Sequence, residues 1–141
     1  MARAVALDIG TRRIGVALSD SAGTVATPYE TVTRSGDRSR DHGRIAALVE
    51  AAGAGIVVVG LPLSLDGSTG PAAQAILDEV DELRAALTVP VVTWDERLST
   101  VEAERSLRAM RVRKDRHRRV VDQVAATVIL QSWLDAGQPE R

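Results

Sequence analysis

Gly55-Ile-Val-Val-Val-Gly-Leu-Pro62 is the stretch on which the fold turns. A short, continuous apolar run bounded by glycine and proline is the pattern of a strand buried on both faces, as found where helices cover a parallel sheet. Upstream, residues 3–9 and 14–19 are β-rich runs separated by Gly10-Thr-Arg-Arg13, and a further extended run through Thr24 to Thr33 follows Ser21-Ala-Gly23. Such short separations predict an antiparallel three-strand start. Between it and the buried strand, a helix is expected from about Arg40 to Ala52, with Ile45, Leu48 and Val49 at helical spacing and Gly53 and Gly55 ending it.

Downstream, Ser64-Leu-Asp-Gly-Ser-Thr-Gly70 reads as a loop, and Pro71 suits the first turn of a helix carrying Ile76, Val80, Leu83 and Leu87. Val89-Pro-Val-Val-Thr-Trp94 is another strand. Ser99-Thr-Val-Glu102 matches a capping box that opens a third helix, and a basic segment joins it to a last helix ending near Gly137. The order βββαβαβαα predicts an α/β fold: a central mixed five-stranded sheet, three antiparallel strands and then two parallel to the first, flanked by helices. One domain spanning residues 1–141 is expected. In such sheets the functional crevice lies beyond the carboxyl ends of the parallel strands.

Composition narrows the chemistry. Cysteine is absent, so a disulfide framework and a thiolate nucleophile are both excluded, which suits a reducing cytosol. Met1-Ala-Arg-Ala-Val-Ala-Leu-Asp8 runs into charge too early for a secretory apolar region, and no apolar stretch approaches the ~20 residues of a membrane span. A soluble, cytoplasmic protein is expected. Tyr29, Trp94 and Trp133 are the only aromatics, so the core must be built from Val, Ala, Leu and Ile.

Three carboxylates stand where a crevice would be. Asp8 terminates Ala4-Val5-Ala6-Leu7, and its own face of the strand carries only Ala4 and Ala6, which leave room for a helix. A charge there costs several kcal/mol unless a cation or hydrogen bonds compensate it. Metal ligation and capping of the turn through Gly10 and Thr11 both answer that need. Glu96 follows the Val89–Trp94 strand and emerges at the same sheet edge, but adjacent Asp95 competes with it, and alternation sends the two side chains opposite ways. Asp122 precedes Ala125, Ala126, Ile129 and Trp133 at helical spacing and so falls on the apolar face, while Gln123, Thr127, Gln131 and Asp135 form the polar one. A salt bridge to a buried arginine is the structural alternative for Asp122.

Three converging acids resist ionisation unless a cation sits between them, and oxygen-only ligation suits Mg²⁺ or Mn²⁺. His42 and His117 are too few and too polar in setting to suggest zinc, and each is expected at the surface.

Net charge is −1, but it is unevenly distributed. Seven arginines and Lys114 lie between Arg105 and Arg119 against the single acid Asp115, whereas acids cluster at Asp78, Glu79, Asp81 and Glu82. The basic run contains no aromatic residue and thus no base-stacking platform, which favours phosphate contact over base reading. Arg12 and Arg13, in the turn beside Asp8, are within reach of the same phosphates or form a solvated hairpin tip. Ser99 is better explained as a helix cap than as a nucleophile, because no histidine lies nearby in sequence.

Asp8-Ile-Gly-Thr11, Gly60-Leu-Pro-Leu63 with Asp66-Gly67, Asp95-Glu-Arg-Leu-Ser-Thr100 and Val121-Asp-Gln-Val-Ala-Ala126 together resemble the RuvX/YqgF family across essentially the whole chain. Members have an RNase H-like fold, and pre-16S rRNA processing and Holliday junction resolution are ascribed to them. The resemblance implies that Asp8, Glu96 and Asp122 form the acidic triad and hold two divalent cations, Mg²⁺ or Mn²⁺, about 4 Å apart across the scissile phosphate. It implies nucleic-acid contacts by Arg97 and by the basic segment, Arg111, Arg113, Lys114, Arg116, Arg118 and Arg119; Arg12, from its place in the turn beside Asp8, is a further candidate. Ser64 departs from the pattern, since such proteins often have asparagine there.

The implied activity is a metal-dependent nuclease processing precursor rRNA. A resolvase acting on branched DNA is the alternative and would require a homodimer; a non-catalytic RNA-binding ribosome-assembly factor is a rival of another class. Asp-x-Gly-Thr also occurs in actin-like sugar kinases, but those need two such domains to enclose a nucleotide.

Overall fold

The computed structural model describes residues 2–98 and 114–139, with side chains described at 2–98 and 123–139. Strands β1 (Arg3–Ile9), β2 (Arg13–Ser19) and β3 (Ala26–Thr33) precede helix α1 (Arg38–Ala51). Strand β4 (Ala54–Leu61), helix α2 (Pro71–Ala86), strand β5 (Val91–Asp95), a 3-10 turn (Glu96–Leu98) and helix α3 (Lys114–Asp135) follow. The helix expected to open at Ser99-Thr-Val-Glu102 lies outside the described residues.

The sheet order is β3-β2-β1-β4-β5. β2 runs antiparallel to both β1 and β3, and β4 is parallel to β1 and β5, as expected for an α/β mixed sheet. Two strands start later than the sequence predicts, for local reasons. The Asp20 carboxylate accepts hydrogen bonds from the Thr24 and Val25 amides at 2.8 and 3.1 Å, so the turn persists until β3 begins at Ala26. Pro90 has no N–H for the ladder, and β5 begins after it.

Alternation divides the side chains between two cores. Val5, Leu7, Ile14, Val16, Val57 and Val59 meet Ile45 and Val49 of α1 and Val80 and Leu83 of α2. On the other face, Ala4, Ala6 and Ala17 accept the bulk of Ile129, Leu130 and Trp133 from α3. Small strand residues opposite large helical ones let the layers interlock at interior density. The Trp133 indole N–H is satisfied by the Pro139 carbonyl at 2.7 Å.

The polar stripe of α3 lies partly against the sheet: Gln123 donates to Thr31 Oγ1 at 3.0 Å and Gln131 accepts from the Ala26 amide at 2.9 Å, while Asp135 is exposed. The Gln131 bond satisfies a backbone amide of β3, and the Gln123 bond fixes α3 against the face of the sheet. The basic segment is not wholly a linker, because residues 114–119 already belong to α3. Lysine and arginine are good helix formers, and neither glycine nor proline interrupts residues 114–135.

The pairs Gln131–Ala26 and Gln123–Thr31 show that α3 runs antiparallel to β3. Since β3 is parallel to β1, the N-terminal end of α3 lies at the carboxyl end of β1.

Candidate nuclease site

Asp8 lies in a row of residues that crosses the sheet on its α3 face. Its partner on β2 is Gly15, and Gly15 pairs with Thr31 on β3. On the other side, Leu7 pairs with Val59, so the next residue of β4, Gly60, flanks Asp8 and in turn pairs with Trp94. Asp8 therefore stands between two glycines, and no neighbouring side chain on those strands crowds its carboxylate. Glycine weakens a strand interior and is kept where another group must approach closely.

Glu96 is the group that approaches Gly60. A Cβ added at Gly60 would stand 3.0 Å from both Cγ and Oε1 of Glu96 and 2.5 Å from Cδ1 of Ile129. The 3-10 turn after β5 folds Glu96 back over this gap until its carboxyl group hydrogen-bonds with that of Asp8. Burial pushes the Glu96 carboxyl above its ordinary range; the bond with Asp8 offsets part of the shift, and the charge of Asp95 adds to it. Two carboxyl groups at hydrogen-bond distance cannot both ionise comfortably without a cation.

Two results are expected from this arrangement. Gly60→Val should displace Glu96 and destabilise the protein by about 1–3 kcal/mol through overpacking, measurable by urea denaturation; an unchanged midpoint would show that the gap is not needed. Glu96→Gln in EDTA should raise the melting temperature at neutral pH. A raised folded-state pKa means that ionising Glu96 costs stability, so the gain should vanish as pH falls below the ordinary 4.5 and grow as pH rises through the folded value. A gain independent of pH would refute the electrostatic account.

Asp95 points elsewhere. It pairs with Arg97, whose Nη2 lies 2.6 Å away, and this contact lowers its pKa. Arg97 also donates to the Leu65 carbonyl at 3.2 Å, tying the Ser64–Ser68 turn to β5. Arg97 thus serves a local scaffold, with 37% of its side chain still exposed. Arg12 is exposed in the β1–β2 turn. Arg13 shares its face of β2 with Gly15 and hence with Asp8, by strand alternation. That turn is tight: the Gly10 amide donates to the Arg13 carbonyl at 2.9 Å, and a Cβ at Gly10 would stand 2.6 Å from the same oxygen.

The side chain of Asp122 lies outside the described residues, as do those of Arg111, Arg113, Lys114, Arg116, Arg118, Arg119 and His117. Residues 114–122 are helical backbone of α3. Asp122 directly precedes Gln123, which bonds Thr31 in the same cross-strand row as Asp8.

Behind the turn, on the opposite sheet face, is a buried ionic network that the sequence reading missed. Glu79, 2% exposed, receives both terminal nitrogens of Arg34 at 3.0 and 2.8 Å and lies 2.7 Å from Nε2 of His42. Nε of Arg34 donates to the Gly10 carbonyl at 2.8 Å, two residues from Asp8. His42 is 2% exposed, correcting its expected surface position, because Glu79 supplies the partner that burial demands. Nearby Asp41, 1% exposed, is paired with the Ser35 amide and hydroxyl. A signal was available: Glu79 lies three residues after Ile76 and four before Leu83, on the apolar stripe of α2.

A family model described as "RuvX: Holliday junction resolvase" matches residues 2–136. The chain belongs to the RuvX family. Among curated RuvX relatives, a protein of Desulforudis audaxviator is 45% identical over 99% of this chain and 98% of its own length. One from Mycolicibacterium paratuberculosis is 53% identical over 94% of this chain and 80% of its own. Both are named "Putative pre-16S rRNA nuclease". Among solved structures, T. thermophilus RuvC in complex with a Holliday junction substrate superposes with a TM-score of 0.52, at 16% identity, over 99% of both chains. That likeness shows an RNase H-like fold. Resolvases and nucleases of this fold typically use divalent metals.

Proposed function

We propose that this RuvX-family nuclease hydrolyses phosphodiester bonds in precursor 16S rRNA, with Asp8, Glu96 and Asp122 holding Mg²⁺ or Mn²⁺. The carrying observation is the Asp8–Glu96 carboxyl pair, brought together at Gly60, with burial raising the pKa of Glu96. An all-oxygen donor set whose members repel one another fits a hard divalent cation. The placement of α3 supports Asp122 as the third member, since its backbone is level with the row that contains Asp8. Two such cations, when bound, supply an activated water and neutralise the leaving oxygen.

The protein's own part is to position charge. Gly15 and Gly60 keep space open around Asp8, and the Glu96 turn closes one side of it. The N-terminal end of α3 brings Lys114, Arg116, Arg118 and Arg119 to the carboxyl edge of the sheet, with Arg111 and Arg113 just ahead of them in sequence. Arginine forks suit phosphate oxygens and give affinity without sequence information. Arg12 and Arg97 flank the same edge. Processing of rRNA places the protein in the cytoplasm.

A second reading, cleavage of four-way DNA junctions by a homodimer, is favoured by the description of the matching family model. The deciding experiment offers precursor 16S rRNA, four-way junctions and single strands to the protein with Mg²⁺ or Mn²⁺. Cleavage of the rRNA precursor in preference to junctions supports the proposal, junction cleavage by a dimer supports the second reading, and no cleavage of any substrate rejects both.

A further inference from the structure

The β1–β2 turn separates the Asp8–Glu96 pair from two adjoining hollows on the opposite sheet face. One, of about 410 Å³, is walled by Ile9, Pro62, Ala72, Ala75 and Ile76. The other, of about 490 Å³, is bordered by Thr11, Arg12, Arg13 and Gly36. Thr11, Arg34 and Arg38 line both, so the hollows form one groove, mainly apolar at one end and arginine-rich at the other. One carboxylate lines each half, Glu79 and Asp41, and both are already paired, with Arg34 and His42 and with Ser35. Each half is of a size that accommodates small molecules, about 300–1,000 Å³.

The floor is already satisfied: Arg34 spends its donors on Glu79 and the Gly10 carbonyl, so it provides rigidity and not an anion site. The rim differs. The Arg38 side chain is 49% exposed and pairs at 2.6 Å with Glu82, itself 50% exposed. The other terminal nitrogen of Arg38 lies 3.7 Å from the buried Glu79, whose oxygens already accept shorter bonds from Arg34 and His42. The exposed Glu82 pair contributes little, so a phosphate competes with Glu82 for Arg38 at small cost. Arg12, exposed in the adjoining turn, adds a second cation.

We propose that this groove holds a nucleotide of the substrate strand flanking the scissile bond, its phosphate at Arg38 and Arg12 and its base and sugar against Ala75, Ile76 and Pro62. The inference rests on the nuclease reading above and extends it to a subsite. Ile9, Gly10 and Thr11 follow Asp8 directly and line the groove, so a strand draped over the sheet edge reaches both places. The apolar wall has no aromatic residue and cannot stack a base strongly, which makes the subsite indifferent to base identity.

The test measures binding of the full chain to a short fluorescent single-stranded RNA in EDTA, where cutting is suppressed. Arg38→Ala should weaken affinity about 10-fold and flatten the slope of log K against log salt by about 0.7, the loss of one single-strand phosphate contact. Ala75→Leu, at an exposed position, should weaken binding by filling the apolar end while leaving the salt slope unchanged. Glu82→Ala, which releases Arg38, should tighten it. Wild-type affinity in both Arg38→Ala and Ala75→Leu, with unchanged melting temperatures, overturns the subsite. Thermal stabilisation by free nucleoside 5′-monophosphates that is lost in Arg38→Ala, without dependence of RNA binding on either variant, also overturns it and assigns the groove to a mononucleotide. If the protein cuts nothing with Mn²⁺ yet RNA binding depends on the groove, the nuclease reading fails and with it the subsite's place beside a scissile bond, while the groove stands as an RNA-binding site.

Discussion

Asp8→Asn is expected to lower metal-dependent cleavage by more than about 100-fold while leaving the melting temperature in EDTA unchanged or higher. Loss of a partner that merely orients a metal ligand costs about 10–100-fold, and Asp8 is proposed as a ligand itself. Asparagine keeps the shape and still hydrogen-bonds with Glu96, so the fold has no reason to suffer. It removes one of two neighbouring charges, and with it the repulsion that the buried pair must otherwise discharge by holding a proton. Cleavage assays and thermal melts on the same preparation check both halves. Activity within a few-fold of wild type would remove Asp8 from the chemistry; a large fall in melting temperature would make it a structural cap instead.

Glu79→Ala is expected to cost about 3–5 kcal/mol, the range for breaking a buried ion pair by removing one partner. The substitution deprives the Arg34 guanidinium, whose side chain is 16% exposed, and the buried His42 ring of their shared carboxylate partner. Burial works against ionisation of Glu79, but the hydrogen bonds from Arg34 and His42 outweigh it and hold the pKa below 4.5. A lowered folded-state value means that the contribution is present above the ordinary pKa and lost as pH falls through the folded one. The gap between wild type and Glu79→Ala in urea titrations should therefore narrow in acid. A penalty under 1 kcal/mol at neutral pH would show that the network contributes little to stability.

Strand order and sheet type were readable because they depend on local pattern: apolar alternation, a continuous Val-rich run before Pro62, and glycine and proline as stops. The carboxylates were readable one at a time, because a charge at the end of a buried strand or on an apolar helix face is costly wherever it stands. Asp95 against Glu96 was not decided by spacing. The outcome depends on the 3-10 turn after β5 and on Arg97, which draws Asp95 away while Gly60 admits Glu96. His42 and Glu79 were misjudged for a related reason, since each looks like a surface residue until the other is brought within 2.7 Å.

The sequence by itself therefore determined the α/β mixed sheet, the family resemblance and the acidic residues at issue, all of which follow from periodicity and residue chemistry along the chain. Only the tertiary structure decided that Asp8 stands between Gly15 and Gly60, that Glu96 and not Asp95 closes on it, and that a buried Arg34–Glu79–His42 network braces the turn behind it. Those are contacts between residues far apart in sequence. Their energies depend on burial and on distances of a few ångströms, which no local pattern encodes.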